Sequence, residues 1–358
     1  MLKSIAALVA FCAAACGQTL LDQDLIYGLN LHNRVIASHS VVSEGEAVER
    51  LRGVFYRLAA SGIARSGPVQ GYQVFYLRSP AIQAAATAGG RMYVTEGLVN
   101  AVRGDTGILA FVMGHEIAHL VRQHGIRKYL RALQRQAYIT ELQYRARMGD
   151  KQANWELVGY VAANRLAEQK IERDEEHEAD RLGLLMGAQA GYHPASAILA
   201  ARTLRDHVGE QSKFMAFFSD HPRWETREQR AEQNYADAIQ VYRATWGNGE
   251  LSPGGEPPLL VSTGKMSAQR GNRQFDIAVP VTARNVHGPV RVALIAAGEH
   301  GEFPLVLQER QFVADAAESL SAVIPDSDLR GRKGKQFVFV TAAQDGKTVY
   351  ETPRLRFK

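Results

Sequence analysis

Residues 115–119, His-Glu-Ile-Ala-His, lie in an apolar segment that follows Asp105. The Asp105 side chain is suited to cap a helix, so we predict that a helix begins there. Residues four apart share one helix face, which allows His115 and His119 to reach the same ion. Glu116 lies about 100° further round the helix, so it would miss the ion and could act as a base toward water. The segment therefore predicts a zinc site with Glu116 as the general base.

A catalytic zinc site needs a third protein ligand and keeps a fourth position open. One known placement of that ligand fails, because Arg122 and Gly125 stand where Gly and His are required. A second placement would use Glu141, but no acidic residue follows it four positions later. A third would use Glu176, with Asp180 on the same helix face able to orient a ligand imidazole.

Several motifs, in the same order, resemble those of metallopeptidase family 48, which includes the CAAX prenyl proteases and the bacterial HtpX and BepA proteins. Glu-x-x-Ala-Asp-x-x-Gly occurs at 176–183, and Tyr-Val-Thr-Glu-Gly-Leu at 93–98 is similar to the end of a family strand. Gly-Tyr-His-Pro at 191–194 and His-Pro-x-x-x-x-Arg at 221–227 match two further elements. The resemblance covers about residues 25–245.

The resemblance implies a zinc-dependent metalloendopeptidase of the gluzincin type, with one Zn²⁺ per chain. The implied metal ligands are His115, His119 and Glu176, with Asp180 beside them. It further implies that His221 or Arg227 donates a hydrogen bond to the developing oxyanion. In relatives this histidine can also occupy the open zinc position and keep the enzyme latent. The alternative for His221 is a helix-capping residue at the surface.

The chain departs from the family at 83–90, Gln-Ala-Ala-Ala-Thr-Ala-Gly-Gly, where the usual pattern is N-A-F-A-x-P-G-G. This difference concerns the substrate groove and leaves the metal ligands unchanged. The sequence lacks the membrane helices of the CAAX and HtpX branches. The exported, BepA-like branch is therefore the nearer relative, although strands replace its helical-repeat tail.

An edge strand beside the site would let an extended peptide bind by backbone hydrogen bonds. The candidate substrate-binding residues are Arg91, Met92, Tyr93, Val94 and Thr95. The alternative is an ordinary internal strand.

Other polar residues near the motif have structural explanations. His124 lies off the ligand face, which favours packing or orientation of a ligand over metal binding, and His177 points into solvent. A basic run could contact anionic lipid or lie over the site, although such runs usually form a solvated face. Its members are Arg127, Lys128, Arg131, Arg135, Arg145 and Arg147.

Residues 1–17 are typical of a signal peptide, with Lys3, an apolar segment at 5–11 and small residues before Cys16. Cys16 is a candidate lipidation site, and plain export with nearby cleavage is the alternative. The expected location is the periplasm, with or without a lipid anchor in the outer membrane. No later segment approaches the roughly 20 apolar residues of a membrane span, so none is expected in the mature chain.

Composition separates the remaining chain into two predicted domains of an α+β protein. A mainly helical zincin domain with a small β-sheet is expected at 22–246. A Gly- and Pro-rich linker covers 247–258, and alternating short strands at 259–358 predict an all-β, sandwich-like domain. The net charge of +5 is not accompanied by any nucleic-acid motif, so no nucleic-acid partner is expected.

The expected substrates are polypeptides, namely unfolded or misassembled envelope proteins, and the expected role is quality control in the cell envelope. The alternative is a periplasmic chaperone or assembly factor in which proteolysis is latent. A working general base at Glu116 favours the enzyme, because a scaffold has no need of one.

Overall fold

A computed structural model of the chain describes residues 20–69, 71–205, 224–247, 252–255, 257–298, 304–329 and 334–357. The chain divides between residues 256 and 257 into two compact units. The predicted signal peptide, the candidate lipidation site Cys16 and the candidate catalytic residue His221 lie outside the described residues.

The first unit is mainly helical. Its central helix is apolar on nearly all sides, and a helix of this kind must be surrounded by other elements. The helices of the described residues are α1 (Leu20–Ser38), α2 (Glu46–Ala59), α3 (Gly62–Arg65), α4 (Glu96–Ala101), α5 (Thr106–Val121), α6 (His124–Arg147), α7 (Lys151–Gln189), α8 (Ala195–Arg205) and α9 (Trp224–Trp246). Of these, α5 is the central helix, and every residue in it except Thr106 and His119 is buried.

Helix α5 begins as the sequence predicts and ends earlier than its apolar pattern suggests. The Asp105 carboxylate accepts the backbone N–H of Ile108 at 2.9 Å, which is a side-chain N-cap. At the other end, Gln123 adopts the left-handed conformation with φ 54 and ψ 34, which interrupts the helical hydrogen bonds. His124 therefore starts the next helix, α6, instead of ending α5.

A four-stranded sheet lies beside these helices, in the order β1-β2-β4-β3. Its strands are β1 (Val41–Val42), β2 (Gln73–Leu77), β3 (Ala84–Thr87) and β4 (Arg91–Thr95). Strand β4 is parallel to β2 and antiparallel to β3. The prediction that Arg91, Met92, Tyr93, Val94 and Thr95 form an edge strand is therefore wrong, because both sides of β4 are paired.

The strand at the edge next to β4 is β3, and its composition makes it hard to recognise in the sequence. Alanine has little β-propensity, so the alanine-rich stretch does not resemble a strand. Gly89 and Gly90 have φ values of 80° and 84°, a conformation that favours glycine, and they turn the chain back into β4. The two glycines thus bring the alanine-rich stretch beside β4.

Helices α6 and α7 form an antiparallel hairpin. Leu142 of α6 and Ala153 of α7 are both fully buried. Arg131 pairs with Glu168 at 3.2 Å and with Glu175 at 3.1 Å across the hairpin. Part of the basic run is thus used to hold the two helices together, and it is not simply a solvated face.

The second unit is all-β in its described residues. Its strands are β5 (Leu260–Thr263), β6 (Ser267–Arg270), β7 (Gln274–Arg284), β8 (Val290–Gly298), β9 (Leu305–Phe312), β10 (Ala316–Pro325), β11 (Gln336–Gln344), β12 (Lys347–Glu351) and β13 (Leu355–Arg356). One sheet has the order β10-β7-β5 with β6 also on β7, and the other has β12-β11-β8-β9 with β13 on β11. Alternate residues of both sheets, such as Val279 and Val292, form one buried core. The predicted fold class, a mainly helical domain with a small sheet plus a sandwich-like all-β domain, is confirmed.

Among the helices of the described residues, none is both long enough and apolar enough to cross a bilayer.

Candidate metal centre

Three predicted ligands from two helices converge on one point. His115 Nε2 lies 3.0 Å from His119 Nε2 and 3.5 Å from Glu176 Oε2, and His119 Nε2 lies 3.3 Å from Glu176 Oε1. Two ligand atoms that bind one zinc ion at tetrahedral angles are separated by about 3.3 Å. The three side chains are thus spaced to hold a single ion. No other group of three His, Cys, Asp or Glu side chains in the described part of the chain is so arranged.

Two glycines allow the ligand-bearing helices α5 and α7 to approach this closely. A Cβ atom on Gly183 would lie 2.5 Å from the backbone nitrogen of His115, and one on Gly114 would lie 2.8 Å from the carbonyl oxygen of Gly183. The helices therefore touch backbone to backbone, and Glu176 lies two turns before this contact.

Replacing Gly183 by Ala should force the two helices apart. We expect the free energy of unfolding to fall by about 1–3 kcal/mol, as for other overpacked interiors, and metal binding to weaken because Glu176 moves away from the histidines. Urea unfolding and metal titration measure the two effects.

Gly187→Ala is the matched control, since it lies one turn further along α7 and a Cβ atom there meets nothing within 4 Å. This control should gain up to about 1 kcal/mol of stability from the higher helix propensity of alanine. If both variants were equally stable and bound metal equally well, the close contact would not position the ligands.

Asp180 orients the first ligand. Its Oδ1 atom lies 2.9 Å from His115 Nδ1, which places the proton on Nδ1 and leaves the Nε2 lone pair facing the centre. Burial and the nearby Arg227 lower the pKa of His115 to about 4, so the imidazole is neutral at pH 7. Burial alone would raise the pKa of Asp180, but Arg227 and the hydrogen bond from His115 outweigh it and hold that pKa below its usual range.

A different pair of side chains orients the second ligand. His124 Nδ1 lies 2.9 Å from His119 Nδ1, and His124 Nε2 lies 3.2 Å from Glu178 Oε2. Burial and the neighbouring His119 lower the pKa of His124 to about 3. A neutral His124 can accept the proton of His119 Nδ1 and donate its own to Glu178, so His119 also presents Nε2. The residue orients a ligand and does not itself face the centre.

Two arginines of α9 neutralise the carboxylates. The buried Arg227 donates from Nη2 to Glu176 Oε2 at 3.0 Å and lies equally close to His115 Nε2. Arg230 donates from Nη1 to Asp180 Oδ2 at 3.1 Å. The predicted residue Arg227 is thus at the site, whereas Arg230 was not identified in the sequence. The sequence indicates its role only in that Arg230 follows Arg227 by three residues on the same helix.

Glu116 lies beside the edge strand β3. Its Oε2 atom accepts the backbone N–H of Ala86 at 3.1 Å. A cavity of about 430 Å³ opens in front of it. The cavity wall includes Glu116, His119 and Glu176, with Tyr27, Leu31 and Tyr129 among its larger side chains. A carboxylate outside the ligand group therefore lies beside a possible ion site at the wall of an open cavity.

Sequence comparisons find relatives among proteins named as metalloendopeptidases and proteases. A 178-residue region is 28% identical to the mitochondrial metalloendopeptidase OMA1 of Schizosaccharomyces pombe, covering 49% of each chain. A 220-residue region is 28% identical to a Vibrio cholerae protein designated as a beta-barrel assembly-enhancing protease, covering 59% of this chain and 44% of that protein. OMA1 of Arabidopsis thaliana is 30% identical over 177 residues, 48% of this chain and 34% of the relative. The chain thus spans between a third and a half of the length of these curated relatives.

The model of peptidase family M48 matches residues 47–234, more than half of the chain. This region contains all three ligand side chains together with Glu116 and Arg227. The match confirms the resemblance drawn from the motifs, and the chain belongs to peptidase family M48.

Proposed function

We propose that the protein is a zinc-dependent endopeptidase that cleaves polypeptides. The observation that carries the proposal is the convergence of His115, His119 and Glu176 beside Glu116, at the wall of an open cavity. Two imidazoles and one carboxylate are a ligand set of catalytic zinc sites, which differ from structural sites in having only three protein ligands.

The donor set of this chain fits zinc. Both imidazoles are held in the tautomer that presents Nε2, as ligation requires. When bound at such a site, zinc lowers the pKa of a coordinated water to about 7 and polarises a carbonyl as a Lewis acid.

The side chains around the centre can perform the proton transfers of peptide hydrolysis. Glu116 can accept a proton from water and later deliver it to the leaving amine, a role that needs hydrogen-bond reach to both atoms. The N–H of Ala86 holds the Glu116 carboxylate beside the cavity. Arg227 Nη2 lies 3.0 Å from both Glu176 Oε2 and His115 Nε2, and the resemblance assigns it the donation of a hydrogen bond to a developing oxyanion. The same role for His221 remains a prediction from the resemblance.

The edge of β3 that faces away from β4 has no strand partner among the described residues, and it is the place where a substrate backbone could pair. It replaces β4 in that role, since β4 has no free edge. Pairing of an extended peptide uses main-chain hydrogen bonds and gives weak side-chain specificity. This mode suits unfolded chains, so we propose quality control of envelope proteins in the periplasm, with Cys16 as a lipid anchor in the outer membrane.

The name of the Vibrio cholerae relative favours a second candidate function. A protein that assists β-barrel assembly could use its protease unit only occasionally. In that case this chain would be an assembly factor with latent proteolysis.

Removal of the metal tests the proposed activity. We expect purified protein to contain one zinc ion per chain and to cleave casein. A chelator should abolish cleavage, and one equivalent of zinc should restore it, because the three protein ligands define a single ion site. Cleavage that survives complete removal of metal would exclude the proposed chemistry.

A further inference from the structure

The cavity in front of Glu116 is lined by one face of helix α1 and one face of helix α6. Helix α1 contributes Tyr27 and Leu31, and helix α6 contributes Tyr129 and Ala132. Residues three or four apart share a helix face, so each helix presents a continuous wall to the cavity. The cavity therefore continues beyond the metal centre along both helices.

An aromatic pair forms part of this wall. The rings of Tyr27 and Tyr129 stack with their centroids 4.3 Å apart. Tyr129 lies five residues beyond His124 on α6, which is about 7.5 Å along the helix axis, and His124 contacts the ligand His119 at 2.9 Å. An extended peptide advances roughly 3.3–3.6 Å per residue. The aromatic pair is thus about two peptide residues away from the metal centre.

The carboxylates that α7 adds to the cavity wall have cationic partners. Glu172 pairs with Lys128 at 2.9 Å, and Glu175 pairs with Arg131 at 3.1 Å. A charged ligand that leaves water needs an opposite charge to face it, and these carboxylates are already engaged. The wall beside the aromatic pair therefore favours an apolar ligand over a charged one.

Helix α1 is fixed against the strand that carries the proposed substrate edge. A Cβ atom on Gly28 would lie 1.6 Å from the carbonyl oxygen of Ala88, so only glycine permits this approach. Asp24 Oδ2 accepts the backbone N–H of Gly89 at 2.9 Å. Tyr27 lies between these two anchors on α1, and the pocket wall is accordingly formed before any ligand binds, as is usual for ligand sites.

We propose that the cavity beside Tyr27 and Tyr129 binds a large apolar side chain of the substrate, within two residues of the cleaved bond. Its volume of about 430 Å³ lies in the range of ligand pockets. Glu116, His119 and Glu176 belong to the same wall, so a chain that reaches the metal centre also reaches the pocket. The inference rests on the proposed peptidase function and adds a side-chain preference to the backbone pairing at β3.

The positions of the cleaved bonds test the preference. Casein is digested with the zinc-loaded protein and its fragments are sequenced by mass spectrometry. We expect Phe, Tyr, Leu and Met to be enriched at one position within two residues of the cleaved bond. Synthetic peptides that carry Phe or Ala at that position should then differ in kcat/KM by about tenfold or more, since even one methylene in an apolar pocket is worth roughly 10–200-fold.

Variants of the wall test which residues set the preference. Ala132→Phe fills the cavity and should lower the Phe-to-Ala ratio of kcat/KM by about tenfold or more. Ala137→Phe is the matched control, because Ala137 is exposed on the same helix and does not line the cavity. Tyr129→Ala removes one ring of the pair and should also lower the ratio. Tyr129→Phe keeps the ring and should retain it.

Peptide binding separates this proposal from the proposed activity. In Glu116→Gln protein, fluorescence anisotropy with the same labelled peptides should show the Phe peptide binding about tenfold more tightly than the Ala peptide. If the parent cleaved no peptide but this difference in binding persisted, only the proposed activity would fail. Equal binding of the two peptides, enrichment of Lys or Arg at the cleaved bonds, or equal ratios in Ala132→Phe and Ala137→Phe would overturn the apolar pocket.

Discussion

Glu116→Gln should lower peptide hydrolysis by about 10²–10⁴-fold, the usual contribution of a positioned general base. Glutamine keeps the size of the side chain and can still accept the N–H of Ala86, whose donor lies 3.1 Å from Oε2. It cannot accept a proton from water. Since Glu116 is not among the three side chains that converge as ligands, zinc content should stay near one ion per chain.

The measurement is casein cleavage per bound zinc, with Glu172→Gln as the control. Glu172 lines the same cavity but is not one of the three converging side chains, and its carboxylate pairs with Lys128 at 2.9 Å, so its loss should change the rate much less than the loss of Glu116. Retention of full activity in Glu116→Gln would reject the general-base role. Retention of the cellular role by an inactive Glu116→Gln protein would instead favour the assembly-factor alternative.

The metal ligands could be predicted from the sequence because their geometry is mostly local. His115 and His119 need only one helix to face the same way, and Asp105 marks where that helix begins. Glu176 required the resemblance, since nothing local brings α7 to α5. The Gly183 contact, which does so, is visible only in three dimensions.

The side chains around the ligands were harder to predict, because their positions depend on where a helix ends and on how the helices pack against one another. The sequence pattern predicts that α5 extends to His124. In the structure α5 ends earlier, because Gln123 adopts the left-handed conformation, and the His124 side chain contacts His119. Glu178 and Arg230 have no distinctive spacing before the helices are packed. The edge strand was misplaced for a related reason, because the hairpin at Gly89 and Gly90 pairs an alanine-rich stretch that resembles no strand.

The second unit was predicted more easily, since strands with one buried face alternate in sequence. Asp345 and Gly346 both have positive φ values, 52° and 75°, which is the conformation that a type I′ turn in a two-residue hairpin loop requires. Pairing of β11 with β12 follows directly. What this unit binds is not encoded in such regularities.

Arg227→Met should have two separable effects, and the first is on stability. The guanidinium is buried and faces Glu176 Oε2 at 3.0 Å and Asp180 Oδ1 at 3.7 Å. Burial alone would lower the pKa of Arg227, but the two carboxylates raise it, so the side chain is charged. Removing one partner of a buried ion pair costs about 3–5 kcal/mol. In metal-free protein we expect a loss of that size, and a smaller loss with zinc, because the ion brings positive charge to the same carboxylate.

The second effect is on the rate. At saturating zinc, below the melting temperature, loss of an oxyanion donor should reduce kcat by about 10²–10³-fold. Arg230→Met is the matched control, because Arg230 is also buried on α9. It pairs with Asp180 at 3.1 Å, and neither Arg230 nor Asp180 belongs to the group of three ligands. It should lose stability with a much smaller change in kcat. If the two variants had equal rates at equal zinc loading, Arg227 would have only a structural role. If metal-free Arg227→Met were as stable as the parent, that structural role would be contradicted as well.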